Sequence, residues 1–147
     1  LKDYLDINFF DEAYINNEYL PSPIERLKIY KKINKANTDN EIFDIKNNLV
    51  DRCGKLTTEV ENLIKNALLK IKIKNSGIIK IKSSEMNTKI NFAENLDDKI
   101  QSRVIKLLTD DAKQCTMIEE NTMVIKIIEK DSNIRREKVY EFLEKIL

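Results

Sequence analysis

A chain of 147 residues has the length for one domain around one core. Its 41% hydrophobic and 35% charged residues, with only 2 Gly and 2 Pro, describe a folded, helix-rich protein and exclude a disordered or fibrous one. The 26 Lys and Arg against 25 Asp and Glu leave a net charge of +1, so there is no overall electrostatic case for nucleic acid or an anionic membrane.

Histidine is absent from the sequence, which removes Ser-His and Cys-His nucleophile pairs and the side chain most often used as a general base. Cys53 and Cys115 lie far apart, without a CxxC pair, so they give no zinc pattern and read as buried thiols of a reducing compartment. The acidic pairs Asp97-Asp98 and Asp110-Asp111 read as helix-end charges, because adjacent carboxylates on a helix point apart. No apolar run approaches the roughly 20 residues that cross a bilayer. The opening Leu1-Lys2-Asp3-Tyr4 is not the basic start of a secretion signal, so a soluble cytoplasmic protein is expected. The first residue is not methionine, which suggests a piece of a longer protein.

Taken in order, Asp6 to Tyr14 mixes aromatic and acidic residues and reads as an extended arm or edge strand, followed by a turn at Ile15-Asn16-Asn17. Ser22-Pro23-Ile24-Glu25 supplies an N-cap, a first-turn proline and a capping-box acid, and Ile24, Leu27, Tyr30 and Ile33 form the expected buried stripe of a first helix. Thr38-Asp39-Asn40-Glu41 starts a second helix with Ile42, Ile45 and Leu49 inward, and Gly54 suits the left-handed residue after its end. A third and longest helix begins at Thr58 or its neighbour and carries Val60, Leu63, Ile64, Ala67, Leu68 and Ile71 toward Gly77. The period then changes to two, predicting paired strands over 78–82 and 88–92. A fourth helix starts at Asn95 or Asp97-Asp98. A second strand pair flanks Glu119-Glu120-Asn121, where Asn121 is able to tolerate a positive φ in a tight turn. Val139, Phe142, Leu143 and Ile146 mark a terminal helix. The expectation is an α+β fold, with a helical N-terminal half followed by short β-strand pairs with packed helices. Residues 1–21 are expected to form an N-terminal extended arm and 22–147 a single compact α+β domain.

The words Tyr19-Leu20, Arg26-Leu27-Lys28-Ile29-Tyr30-Lys31-Lys32-Ile33 and Leu49-Val50-Asp51-Arg52-Cys53-Gly54 occur in an order that resembles the C-terminal module of the bacterial transcription-repair coupling factor. That family reads approximately Arg-Leu-x-x-Tyr-Lys-Arg-Ile, then Asp-Arg-Phe-Gly-x-Leu-Pro before a helix with Asn-Leu-Leu. Arg26, Tyr30, Asp51, Arg52, Gly54 and Leu56 hold those places here, with Asn62-Leu63-Ile64 downstream. Lys74-Asn75-Ser76-Gly77-Ile78 and Asn91-Phe92-Ala93-Glu94 extend the resemblance over most of the chain. Three positions depart from the pattern: Cys53 replaces an aromatic, Thr57 stands where proline is expected, and Asn16 replaces proline in the turn before Tyr19.

The resemblance implies a domain of a DNA translocase that removes stalled RNA polymerase from damaged DNA and recruits nucleotide excision repair. In that family the module is autoinhibitory: it docks on the UvrB-like module of the same protein and hides the surface that recruits the excision-repair protein UvrA. The parent's motor binds ATP and magnesium. Gly54 and Gly77 are the only glycines here and neither sits in a GxxxxGK(S/T) phosphate loop, so no cofactor and no ATP hydrolysis are expected of this chain itself, and no small-molecule substrate.

Charge is locally uneven. Lys65, Lys70, Lys72, Lys74, Lys80, Lys82 and Lys89 cluster, while Asp3, Asp6, Asp11, Glu12 and Glu18 crowd the start. The lysines, Lys70, Lys72, Lys74, Lys80 and Lys82 above all, form a candidate docking patch for an acidic protein surface. An alternative is a small nucleic-acid-binding domain using the Lys65–Lys89 cluster, and the bland reading is solvated helix and strand faces. No aromatic residues interleave with these lysines, which disfavours a single-strand stacking platform. Arg26 and Tyr30, four apart on one helix, could anchor a partner. Asp51-Arg52 reads either as an interface pair or as charges pinning the following turn.

Overall fold

The structure is a computed structural model that describes residues 5–147. Its elements in chain order are β1 (Asp6–Asn8), α1 (Pro23–Lys35), α2 (Asp39–Cys53), α3 (Thr58–Ile73), β2 (Ile78–Ser83), β3 (Thr88–Phe92), α4 (Asp98–Asp110), β4 (Cys115–Glu119), β5 (Thr122–Ile125) and α5 (Ser132–Ile146). The fold is α+β, as expected, and has two compact units. One holds Glu12–Lys72; the other holds the residues up to Asp11 together with Ile73–Leu147. The strip before residue 22 is therefore shared between the units.

In the helical unit the cap signals act where the sequence places them. Ser22 Oγ accepts from the Glu25 amide and Thr38 Oγ1 from the Glu41 amide, each satisfying a first-turn donor that the helix leaves open. Thr57 rather than Thr58 caps α3, its Oγ1 accepting from Val60 N–H at 3.2 Å. Ile29, Ile42, Leu49, Val60, Ile64 and Ala67 meet in one core. The expected stripe of α1 is corrected here: Ile24 is 68% and Leu27 53% exposed, while Ile29 is buried. Ile24 and Leu27 share one side of the helix, and the core takes the opposite side, bearing Ile29, Tyr30 and Ile33.

The sheet unit departs further from two separate strand pairs. Its strands form one five-stranded mixed sheet in the order β1-β2-β3-β5-β4. Antiparallel pairing of β3 with β5 joins the two hairpins, and β1 adds in parallel to the edge of β2 with Ile7 opposite Ile81. The edge-strand reading of Asp6 onward is thus the one realised. A register shift between Ile78 and Lys80 breaks the expected alternation in β2. Side chains alternate across the sheet. One face carries Ile81, Ile90, Met123 and Ile125, all fully buried, and α4 and α5 contribute the equally apolar Val104, Leu107, Val139 and Leu143. Asn121 does not take a positive φ; among the described residues that lack a glycine's freedom, only Phe10 and Asn75 do. It instead donates from Nδ2 to Phe92 O, while its own carbonyl accepts from Phe92 N–H, so the turn is fixed by hydrogen bonds. Gly77, at φ 91°, takes a backbone conformation that strains other residues, and a Cβ there would also displace the end of the Leu96 side chain.

Two arginines on α5 hold the arm that carries β1. Arg135, 3% exposed, donates through Nη1 to Glu129 O and Lys130 O at 2.9 Å and through Nη2 to Phe9 O and Ser83 O. Arg136 meets Asp11 fork to fork, Nη1 to Oδ2 at 2.7 Å and Nη2 to Oδ1 at 2.8 Å, and its guanidinium lies 4.6 Å from the centre of the Phe9 ring. Burial alone would raise the Asp11 pKa, but the hydrogen bonds from Arg136 and Ser132 and the Arg136 charge outweigh it and hold the carboxyl below its ordinary 3.8.

Arg136→Ala leaves the half-buried Asp11 carboxylate without its ionic partner and should cost about 2–3 kcal/mol in urea denaturation. Because the folded pKa of Asp11 is depressed, its contribution is complete above pH 3.8 and is lost as pH falls through the folded value. The stability gap between the wild-type chain and Asp11→Asn should therefore narrow as pH is lowered below that point, and a gap that stays constant would contradict the pairing.

Candidate interaction site

The segment between β1 and α1 has no strand or helix of its own, and the helices of this unit satisfy much of its main chain. Arg26 lies near the start of α1 and its Nη1 donates to Leu20 O at 2.7 Å and Pro21 O at 2.8 Å. One turn further, the Tyr30 hydroxyl accepts from Ile15 N–H at 2.8 Å. Asn62 of α3 donates from Nδ2 to Glu12 O at 2.9 Å, and the Tyr14 amide donates to Glu59 O at 3.2 Å. At the other end of the helical hairpin, the Tyr19 hydroxyl donates to Gly54 O at 2.7 Å. Burial pushes the phenol pKa of Tyr19 up, with Cys53 adding to it, so the group remains a proton donor across the neutral range.

The motif residues divide accordingly. Arg26 and Tyr30 point into the helical unit and spend their polar groups on its own backbone, and Gly54, at φ 84°, closes α2 with its amide on Val50 O. Arg52 reaches Glu25 at 3.3 Å on the surface, tying the end of α2 to the start of α1. Asp51 is exposed, and its side chain makes no hydrogen bond or ion pair among the described residues. Two of the departures noted in the sequence meet: the Thr57 hydroxyl donates to Asn16 Oδ1, a bond that prolines at those positions would not make. The role of Asn62 was missed by sequence reasoning, since a buried polar residue on an apolar helix face is a signal only once the irregular segment it bonds to is known.

The lysines also divide. Lys70 and Lys72 belong to the helical unit, where both are half-buried, and Lys74, Lys80 and Lys82 to the sheet unit, where Lys74 and Lys82 are exposed. Lys80, Lys82 and Lys89 share the sheet face that α4 and α5 do not cover, and Lys82 stands directly opposite Lys89 in the ladder. Of the acidic pole, Asp3 lies outside the described residues, Asp11 is engaged by Arg136, and Asp6 flanks Lys80. Among the described residues, no group of His, Cys, Asp and Glu could hold a metal ion, and no helix is long and apolar enough to cross a membrane.

The family model of the TRCF domain matches residues 11–103, more than half of the chain and including every motif residue above. The chain belongs to the TRCF domain family. It is 32% identical over 82 residues to the transcription-repair-coupling factor of Staphylococcus haemolyticus (strain JCSC1435), covering 56% of this chain and 7% of that protein. With the factor of Staphylococcus aureus (strain USA300) it is 29% identical over 125 residues, covering 82% of this chain and 10% of that protein. The chain thus spans a tenth or less of the curated relatives it matches. A crystal structure of the C-terminal domain of transcription-repair coupling factor has the same fold, with a TM-score of 0.77 at 18% identity over 97% of this chain and 91% of that one. The words from Tyr19 to Gly54 lie in the helical unit, and those around Gly77 and Phe92 in the sheet unit.

Tyr30→Phe strands the Ile15 amide and should lower stability by about 1–2 kcal/mol, whereas Asp51→Ala should change it by less than about 0.5 kcal/mol. Equal effects in chemical denaturation would contradict the division between inward and outward motif residues.

Proposed function

We propose that this chain is the C-terminal regulatory domain of a transcription-repair coupling factor and acts by docking, not by catalysis. Its target is the UvrB-like module of the parent protein. Docking there masks the surface that recruits UvrA and restrains the ATP-driven translocase that removes stalled RNA polymerase from DNA. ATP and magnesium belong to the parent's motor modules in this reading, and the whole protein works in the cytoplasm.

The observation that carries the proposal is the agreement of a TRCF family match over residues 11–103 with a whole-chain likeness to a C-terminal domain of such a factor. The surface is compatible with docking. Ile24 and Leu27, one turn apart on the outward side of α1, leave an apolar strip in water beside the Arg52–Glu25 pair, and fixed apolar side chains rimmed by charge suit a partner interface.

Removing this segment from the full-length parent should raise its ATPase activity or its affinity for UvrA, measured by coupled assay and by titration. If both stay unchanged, the regulatory reading is wrong.

A further inference from the structure

The sheet face that carries Lys80, Lys82 and Lys89 can be laid out row by row from the strand register. One row runs Asp6, Lys80, Asn91, Thr122, Glu119 across the five strands, so its lysine lies between carboxylates at the two sheet edges. The next row on the same face runs Asn8, Lys82, Lys89, Val124, Thr116 and contains no carboxylate. Just past β5, Lys126 continues the alternation onto this face, its amide bonded to Gln114 O, which extends the ladder by one step.

Lys82 and Lys89 are directly opposite, with Cβ atoms about 5 Å apart, an arrangement that disfavours the fold because like charges face each other. Both are exposed, and among the described residues neither forms an ion pair. A pair that only kept the sheet in water would be served equally well by alternating signs, as in the Asp6 row. The charge is uniform, concentrated on adjacent strands and rigidly spaced by the ladder.

We propose that the Lys82–Lys89 row, with Lys80 and Lys126 beside it, is a docking surface for an acidic protein segment, one that presents carboxylates at the spacing of neighbouring strands, about 5 Å, and of alternate strand residues, about 7 Å. An acidic protein is favoured over nucleic acid. Four lysines release few counterions, the paired residues of the two rows include no arginine and no aromatic residue for stacking, and Asp6 and Glu119 at the ends of one row interrupt the positive charge that a continuous phosphate backbone would follow. The inference is read from the sheet alone and goes beyond docking on the UvrB-like module; either can fail without the other.

The test is binding of the 147-residue chain to immobilised poly-L-glutamate and, at matched salt, to duplex DNA. The wild-type chain should bind poly-glutamate in a salt-sensitive way and more tightly than DNA. K82E/K89E should weaken that binding by about tenfold or more, while K99E/K106E, which changes net charge equally from exposed positions on α4, should leave it near wild type. K82Q/K89Q, which removes the repulsion without new charge, should fall between and serves if the Glu pair does not fold. Equal loss in both Glu pairs, no loss in K82Q/K89Q, or tighter binding of DNA than of poly-glutamate would each overturn the proposal.

Discussion

Buried backbone N–H and C=O groups must find partners, and the stretch from Phe9 to Pro21 runs along the protein without a ladder or helix of its own to supply them. Long side chains meet that demand in both units. Arg26, Tyr30 and Asn62 serve Leu20, Pro21, Ile15 and Glu12 in the helical unit; Arg135 serves Phe9 in the sheet unit. Arginine suits the task because its planar fork reaches two carbonyls at once and stays charged. Among the described residues, Arg135 Nε is the one buried side-chain polar atom left unpaired, a modest cost beside four satisfied carbonyl contacts.

This division of labour changes how the TRCF motif is understood. Arg and Tyr at i and i+4 on one helix could be taken for partner anchors, and both are enriched in binding hot spots. Here they are internal, and what α1 offers outward is Ile24 and Leu27. Arg26 and Tyr30 serve the scaffold, while Asp51 and Arg52 of the same motif stand on the surface. The meeting of Thr57 and Asn16 fits the same view: where prolines would stiffen two loops covalently, a hydrogen bond between the loops takes over part of that work.

Local signals were legible in the sequence. The Ser22 and Thr38 caps, the glycine at position 54 and the inward stripes of α2, α3 and α5 depend on neighbours within a turn or two, so spacing alone reveals them. What was not legible is long range. The stripe of α1 misled because both sides of the helix carry apolar residues, and periodicity cannot say which side meets the core. The union of two hairpins through β3 and β5, and the parallel addition of β1, are set by pairings between distant segments, which leave no mark on local pattern. Arg135 and Arg136 were passed over for the same reason, since their partners lie more than a hundred residues earlier. The lysine cluster was visible as composition, but only the register separates the half-neutralised Lys80 row from the Lys82–Lys89 row.

The parallel pairing of β1 with β2 also bears on the order of folding. The whole helical unit lies between these two neighbouring strands in the chain, so the sheet cannot close its first edge until that unit has been synthesised. Helix α1 and the hairpin it makes with α2 rest on contacts short in sequence and can form early, whereas β1 must wait for a partner far downstream and overcome the entropy of a long loop. Folding the intervening helices first shortens that loop in effect, which makes the helical unit a kinetic aid to the sheet as well as a neighbour in the chain.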